Sequence, residues 1–180
     1  MKTLKLLFLF TLLISASCKN DDDSSKNPID QLPAATQIGA QTFGCLINGE
    51  AFVPPIFGSN APNAFYQFVG GAYTLGISGG TGGGSNLKGL NIGAIDVDQI
   101  QETTYIFLEK ESGNYFGQYT IGGSIILNAI TSTNNSGLLL ITHFDEVNGI
   151  ISGTFEFTVL DNEGNEIKIT DGRFDMLYTN

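Results

Sequence analysis

The alternation of apolar and polar residues between Thr42 and Asn180 is the feature that most limits how this chain can fold. Stretches of four to ten residues with this period of two are separated by clusters of Gly, Asn, Asp or Pro. In the segment 154–159, Phe and Val alternate with Thr and Glu, and the run 161–164 leads into a second alternating segment at 166–170. Such a pattern is typical of antiparallel strands joined by tight turns.

The same pattern predicts about ten or eleven strands in all. Asn48-Gly49 supplies the turn of an N-terminal hairpin, and Leu138–Ile141 is apolar on both faces, as in the middle of a layered structure. We therefore expect an all-β fold, an antiparallel β-sandwich or flattened β-barrel of about ten strands, and the sequence does not choose between the two. Residues 97–102 are a candidate for a single helical turn. The predicted strands are 43–47, 51–53, 64–69, 72–78, 89–95, 104–109, 115–121, 125–129, 137–144, 154–159 and 166–170.

Composition narrows the classes of function. The chain has 180 residues, of which 42% are hydrophobic, enough for one domain with a core. Its net charge of −10 argues against a nucleic-acid partner, because phosphate binding needs basic surfaces. With one His, two Cys and no Trp, most metal clusters and disulfide scaffolds are excluded. We expect no metal and no cofactor.

The N-terminus has the organisation of an export signal. Two lysines precede an apolar run, Leu6–Ile14, which is followed by Ser15–Ser17 and then Cys18. The run is too short to cross a bilayer as a lasting anchor. A cysteine directly after small residues resembles the lipobox of bacterial lipoproteins, in which that cysteine is lipidated and becomes the first residue of the mature chain. The resemblance implies a signal peptide at residues 1–17 and lipidation of Cys18.

Residues 18–41 read as a flexible acidic tether, because they are polar and turn-prone and contain few large apolar side chains. Fully extended, such a segment could hold a domain about 70 Å from the lipid. The cluster Asp21–Asp23 resembles the surface-export signal of lipoproteins in the Bacteroidota, and a solvated spacer explains it equally well. We expect the single all-β domain to occupy residues 42–180.

Three segments carry a wider resemblance: 42–49 (TFGCLING), 151–157 (ISGTFEF) and 169–175 (ITDGRFD). Set behind a lipobox, they resemble a domain-of-unknown-function family of small Bacteroidota lipoproteins. The likeness spans most of the chain, and its motifs are strand and turn patterns that carry no catalytic residues. It implies a lipoprotein exported to the outer membrane of a Gram-negative bacterium, with the cell surface as an open alternative.

Three features of the sequence could be assigned a chemical role, but each also has a simpler structural explanation. Cys45 shares a strand face with apolar residues and is expected to be buried. His143, beside Asp145 and Glu146, lacks a nucleophile motif. The run Gly79–Ser85 lacks the Gly-Lys-Ser/Thr ending of a phosphate-binding loop, and we expect a floppy loop there.

Acidic residues suggest two further candidate sites, a calcium-binding loop and a pair of catalytic carboxylates. The segment 161–166 has some spacing of a calcium loop but lacks Gly at the sixth position, and a hairpin turn explains it. Glu156, Asp171 and Asp175 could supply the paired carboxylates of a glycosidase, although strand alternation favours solvated outer-face acids.

Aromatic residues give the candidate ligand patch. We assign it to Tyr66, Phe68, Tyr73 and Tyr115, exposed near the run 79–85, because aromatic rings bury much area at little entropic cost. Its expected partner is an unidentified protein or glycan.

These observations favour a lipid-anchored cell-envelope lipoprotein that acts as a non-catalytic binding or structural module and contacts the membrane through its N-terminal lipid. Two alternatives remain open. One is a hydrolase of envelope or other polysaccharides that uses paired carboxylates. The other is an inhibitor or immunity-type protein that covers a toxin with its acidic face.

Overall fold

The computed structural model describes residues 27–122 and 127–180. Within these ranges the chain forms eleven strands and two short 3₁₀ turns, Pro28–Gln31 and Gly84–Asn86, and no α-helix. The strands are β1 (Thr42–Ile47), β2 (Glu50–Phe52), β3 (Asn63–Val69), β4 (Ala72–Thr81), β5 (Lys88–Val97), β6 (Thr104–Phe107), β7 (Tyr115–Ile121), β8 (Leu127–Ile130), β9 (Gly137–Asp145), β10 (Ile150–Leu160) and β11 (Glu166–Leu177).

All eleven strands belong to one mixed sheet that does not close. Its order is β2-β1-β11-β10-β9-β6-β7-β5-β4-β3, with β8 paired to β7. Every pair of strands is antiparallel except β6 and β7, which are parallel and meet only at Phe107 and Tyr115. This is the narrowest junction of the sheet. The expectation of an all-β sandwich or flattened barrel is confirmed.

The two halves of the sheet approach again on the other side of the domain. The Tyr66 amide of β3 donates to the Thr179 carbonyl at 2.9 Å, and the Thr179 amide donates to the Ala64 carbonyl at 3.1 Å. The segment after β11 therefore lies beside β3. This contact builds one wall of the cavity described below.

The core between the halves is rich in phenylalanine. Phe43 and Phe155 stack with centroids 5.4 Å apart, and Phe107 meets Phe157 edge-on at 5.6 Å. All four rings are buried. Burial of each stabilises the fold by about 1.5–3 kcal/mol, and the period-two pattern in the sequence comes from these inward positions.

Glycines opposite phenylalanines explain part of the unusual glycine content. At four positions the ring of a strand residue lies over the glycine directly across the ladder, and a Cβ on that glycine would come closer than 3.0 Å to the ring. A side chain there would displace the ring, so only glycine fits. The pairs are Phe65 with Gly76, Phe116 with Gly93, Phe155 with Gly172 and Phe174 with Gly153.

Residues 27–41, which we call the N-terminal strap, lie against the sheet. The strap begins with the 3₁₀ turn, continues through the buried Leu32, and packs Pro33 so closely on Gly44 that a Cβ there would not fit. The structure thus differs from the predicted tether boundary at residue 41, since contact with the domain starts well before it. The difference arises from long-range hydrogen bonds to Asp175, which local polarity does not reveal.

The remaining local predictions from the sequence agree only in part with the structure. Residues 97–102 form no helical turn, and residues 79–81 continue β4 instead of belonging to a loop. The predicted strand 125–129 corresponds to β8, but its first two residues lie outside the described residues. So do the signal peptide and Cys18. No helix in the described ranges has the length and apolar character needed to span a bilayer.

Candidate functional site

A cavity lined by aromatic side chains lies at the end of the β3–β4 hairpin. The turn of this hairpin, Gly70-Gly71, has positive φ angles of 66° and 99°, a conformation that glycine adopts readily. The cavity measures about 540 Å³, within the range of small-ligand pockets. We call it the aromatic cavity; its lining comprises Tyr66, Gln67, Phe68, Val69, Tyr73, Glu146, Tyr178 and Asn180.

The rings in this region have fixed and different orientations. Tyr66 and Tyr73 stack almost in parallel, with centroids 4.8 Å apart and planes 4° apart. Phe68 is tilted by 56° to Tyr73 at 4.8 Å, and Tyr178 is nearly perpendicular to Tyr66. Tyr178 is itself supported by Phe144, which stacks on it at 5.7 Å. The walls are therefore held in place by neighbouring rings.

The exposed fraction of each side chain distinguishes the rings that support the cavity from the side chains that a ligand can contact. Tyr66 is only 5% exposed, and its hydroxyl accepts a 3.0 Å hydrogen bond from the buried Ile100 amide. Burial raises the pKa of Tyr66 to about 12. In contrast, Phe68 and Val69 are each 62% exposed. Tyr66 thus forms the floor, whereas Phe68 and Val69 form an open apolar rim.

The structure brings together three of the four residues predicted for the ligand patch. Tyr66, Phe68 and Tyr73 all line the aromatic cavity, but Tyr115 does not. Tyr115 is 8% exposed and stacks on Tyr105 with centroids 4.0 Å apart, beside the β6–β7 junction.

The patch also lies elsewhere than expected. It occupies the Tyr73 end of β4, whereas the glycine-rich run begins at the Thr81 end, so the expectation of proximity was wrong. Sequence reasoning missed Tyr178, which lines the cavity from the segment after β11, and Phe144 of β9, which packs against Tyr178. No spacing in the sequence reveals them, because the contact of the β11 extension with β3 brings them there.

The charge at the aromatic cavity is acidic. Glu146 is the charged side chain in its lining, and one of its oxygens accepts a 2.5 Å hydrogen bond from the Gln99 side chain. The pKa of Tyr178 is raised, mainly by burial and then by the nearby charges of Glu146 and Asp145. The basic residues of the described chain, Lys88, Lys110, Lys168 and Arg173, all lie elsewhere.

Asp175 is fully buried and holds the N-terminal strap. Its carboxylate accepts hydrogen bonds from the Thr36 hydroxyl at 2.6 Å, from the Ser152 hydroxyl at 2.8 Å, and from the amides of residues 38–40 at 2.7–3.1 Å. Burial alone would raise the pKa of Asp175, but these donors outweigh it and lower the pKa to about 2. Asp175 is therefore a structural residue, and it does not converge with Glu156 and Asp171 as a paired carboxylate.

Glu156 and Asp171 do share a groove on the outer face of the sheet. This groove of about 530 Å³ also contains Arg173 and the side chains of Leu138 and Leu140. The Arg173 guanidinium donates to the backbone carbonyls of Asp171 and Pro33, at 3.2 and 3.5 Å. The two carboxylates thus lie in one exposed groove with a single cation.

The contacts of His143 and Cys45 are local, and they indicate structural roles for both residues. The Nδ1 atom of His143 lies 3.4 Å from a Glu102 carboxylate oxygen, while Asp145 accepts bonds from the backbone and side chain of the turn residue Asn148. Burial raises the pKa of the Cys45 thiol to about 12. A thiol of this kind is protonated at neutral pH and is a poor nucleophile.

In the segment 161–166, residues 161–165 form a hairpin turn and Glu166 begins β11. Asp161 accepts hydrogen bonds from the Glu163 amide and from the amide and side chain of Asn165, so its oxygens are occupied within the turn. Across residues 27–122 and 127–180, no three His, Cys, Asp or Glu side chains cluster as metal ligands.

Comparison of the chain with protein-family models, with curated proteins and with solved structures finds no significant match.

Proposed function

We propose that this protein is an exported, lipid-anchored cell-envelope lipoprotein whose β-domain binds a partner at the aromatic cavity without catalysing a reaction. The observation that carries the proposal is the exposure of Phe68 and Val69 on the rim of a concave, aromatic-lined cavity. Exposed apolar side chains beside a preformed cavity are typical of binding sites.

The rigidity of the cavity supports this proposal. The Tyr66 side chain is fixed by a hydrogen bond to Ile100 and by ring contacts on several sides. A binding surface that is already ordered loses little conformational entropy when its partner arrives. The aromatic cavity is therefore suited to recognition without rearrangement.

The position of the cavity relative to the proposed lipid anchor also supports a binding role. Because the N-terminal strap lies on the domain, only residues 19–26 separate Cys18 from it, and the nine Cα–Cα steps from Cys18 to residue 27 span at most about 30 Å. Gln31 of the strap and Thr81 line the same groove, whereas the cavity is at the Tyr73 end of β4, about 26 Å farther along the strand. The first residues of the strap, to which the proposed anchor would connect, therefore lie toward the opposite end of β4 from the cavity, and no residue of the strap lines the cavity.

Lipid anchoring is tested by metabolic labelling with a fatty acid. We expect label on the wild-type protein and none on Cys18→Ala, with both proteins exported. Equal labelling of the two would remove the anchor from the proposal.

Partner binding is tested by affinity capture from envelope extract with the domain beginning at residue 19. We expect captured material to be lost with Phe68→Ala and retained with Phe57→Ala, a matched control because Phe57 is 81% exposed and does not line the cavity. Identical capture by all three proteins would refute a role for the aromatic cavity.

A hydrolase is a second candidate, favoured by one observation: Glu156 and Asp171 line the same groove. Paired carboxylates can serve as acid and base in glycoside hydrolysis. The test is release of reducing ends from envelope polysaccharides. Loss of activity in both Glu156→Gln and Asp171→Asn would support this candidate, and no release by the wild-type protein would eliminate it.

A further inference from the structure

We infer that the aromatic cavity binds a soluble quaternary ammonium compound, a ligand whose positive charge is carried by methyl groups. The inference deepens the proposed function, because it names the ligand chemistry of the same cavity. It rests on the ring arrangement, the charge of the lining and the kind of hydrogen-bonding groups available.

The rings supply the first argument. Tyr73 is nearly parallel to Tyr66, and Tyr178 is nearly perpendicular to Tyr66, so Tyr73 and Tyr178 form two walls close to a right angle. Phe68 adds a third, tilted wall. Aromatic faces attract cations through their quadrupoles, and several rings around one space are the usual means of holding a quaternary ammonium group.

The charge of the lining supplies the second argument. Glu146 gives the cavity a carboxylate, and neither Lys nor Arg contributes to the lining. Asp145 lies close enough to add to the negative potential at Tyr178. An anionic ligand would be repelled here, whereas a cation gains from both the carboxylate and the rings.

Hydrogen-bonding capacity distinguishes a quaternary from a primary ammonium ligand. A primary ammonium group carries three N–H donors and loses free energy if they are left without acceptors on desolvation. One oxygen of Glu146, the main anionic acceptor at the cavity, already accepts from Gln99. A trimethylammonium group has no donors to satisfy, and its methyl groups match the apolar surfaces of Phe68 and Val69.

The test is titration calorimetry with choline against its neutral isostere 3,3-dimethylbutan-1-ol, which has the same shape without the charge. We expect choline to bind at least about tenfold more tightly, a difference of about 1.4 kcal/mol. Phe68→Ala and Glu146→Gln should each weaken choline binding at least about threefold, and the Gln side chain can still accept the bond from Gln99.

Matched control variants are Phe57→Ala and Glu163→Gln, which remove an exposed ring and an exposed carboxylate that do not line the cavity, and both should bind choline as the wild-type protein does. Equal affinity for choline and the isostere would overturn the inference, as would absence of choline binding at millimolar concentrations. If capture from envelope extract still depends on Phe68 in that case, the proposed binding function stands and only the ligand class fails.

Discussion

Replacement of Asp175 by Asn should detach the N-terminal strap and lower the stability of the whole domain. The wild-type carboxylate accepts bonds from Thr36, from Ser152 and from the amides of residues 38–40. An Asn side chain keeps one acceptor oxygen but presents an NH₂ group where the second oxygen was. At least one backbone N–H of the strap would then face another donor.

The magnitude follows from two contributions. The pKa of Asp175 is lowered from 3.8 to about 2, and a shift of this size corresponds to about 2 kcal/mol of stabilisation by the ionised form. A buried N–H left without an acceptor costs about a further 1–3 kcal/mol. We expect Asp175→Asn to reduce the free energy of unfolding by about 3–5 kcal/mol, a large fraction of the total for a typical domain.

The pH dependence gives a second readout with a defined sign. Since the folded-state pKa is below the unfolded one, the unfolded chain binds more protons between about pH 4 and pH 2. The stabilisation from Asp175 is therefore complete above about pH 4 and is lost as the pH falls through about 2. The difference in stability between the wild-type protein and Asp175→Asn should shrink over this window.

The assay is urea unfolding followed by circular dichroism at several pH values. Asp171→Asn is the matched control, because Asp171 is an exposed residue of the same strand with φ of 53°, a conformation that Asn tolerates. A loss in Asp175→Asn no larger than in this control, or a loss that does not change between pH 4 and pH 2, would refute the reasoning.

Three other changes test separate parts of the structure. Gly172→Ala should lower the free energy of unfolding by about 2–3 kcal/mol in urea titrations, because its Cβ would collide with the ring and carbonyl oxygen of Phe155. Tyr66→Phe should cost about 1–3 kcal/mol by thermal or urea unfolding, since it removes the acceptor of the buried Ile100 amide. Cys45, with its pKa raised to about 12, should react with a disulfide reagent at pH 8 about a thousandfold more slowly in the folded than in the unfolded protein.

Each of these has its own control. Gly83→Ala adds a Cβ where no atom lies within 4 Å and should leave stability nearly unchanged; a loss equal to that of Gly172→Ala would argue against the steric explanation. Tyr73→Phe removes the hydroxyl of a partly buried tyrosine that lines the same cavity, and if it lowers the stability as much as Tyr66→Phe, the bond to Ile100 is not the cause. Fast modification of Cys45 without denaturant would contradict its burial.

The strand architecture could be predicted because its cause is local. The alternation in 154–159 and 166–170 arises from residues that point alternately into and out of the core, and both segments are strands in the structure. The Asn48-Gly49 turn joins β1 and β2 for a similarly local reason, since both residues have positive φ. Pairing between distant strands leaves no such trace, which is why sandwich and barrel were indistinguishable from the sequence.

The N-terminal strap and the aromatic cavity could not be fully predicted from the sequence, because long-range contacts build them. Asp175 is more than 130 positions from the strap residues that it binds. The polar segment 27–41 therefore has no local pattern that indicates binding to a buried carboxylate. Likewise, Tyr66, Phe68 and Tyr73 could be grouped because they are neighbours in one hairpin. Tyr178 joined them only through the contact between the segment after β11 and β3.

The phenylalanines of this sheet show why Phe68 points to function. Phe65 lies over Gly76 and Phe155 over Gly172, so these rings fill space that the sheet itself leaves open. Phe68 is different, because it stands opposite Tyr73 instead of a glycine and leaves most of its surface in water. The requirements of folding account for the first two rings and not for Phe68. A ligand that covers Phe68 would supply the burial that the fold omits, which is the physical basis for placing recognition at the aromatic cavity.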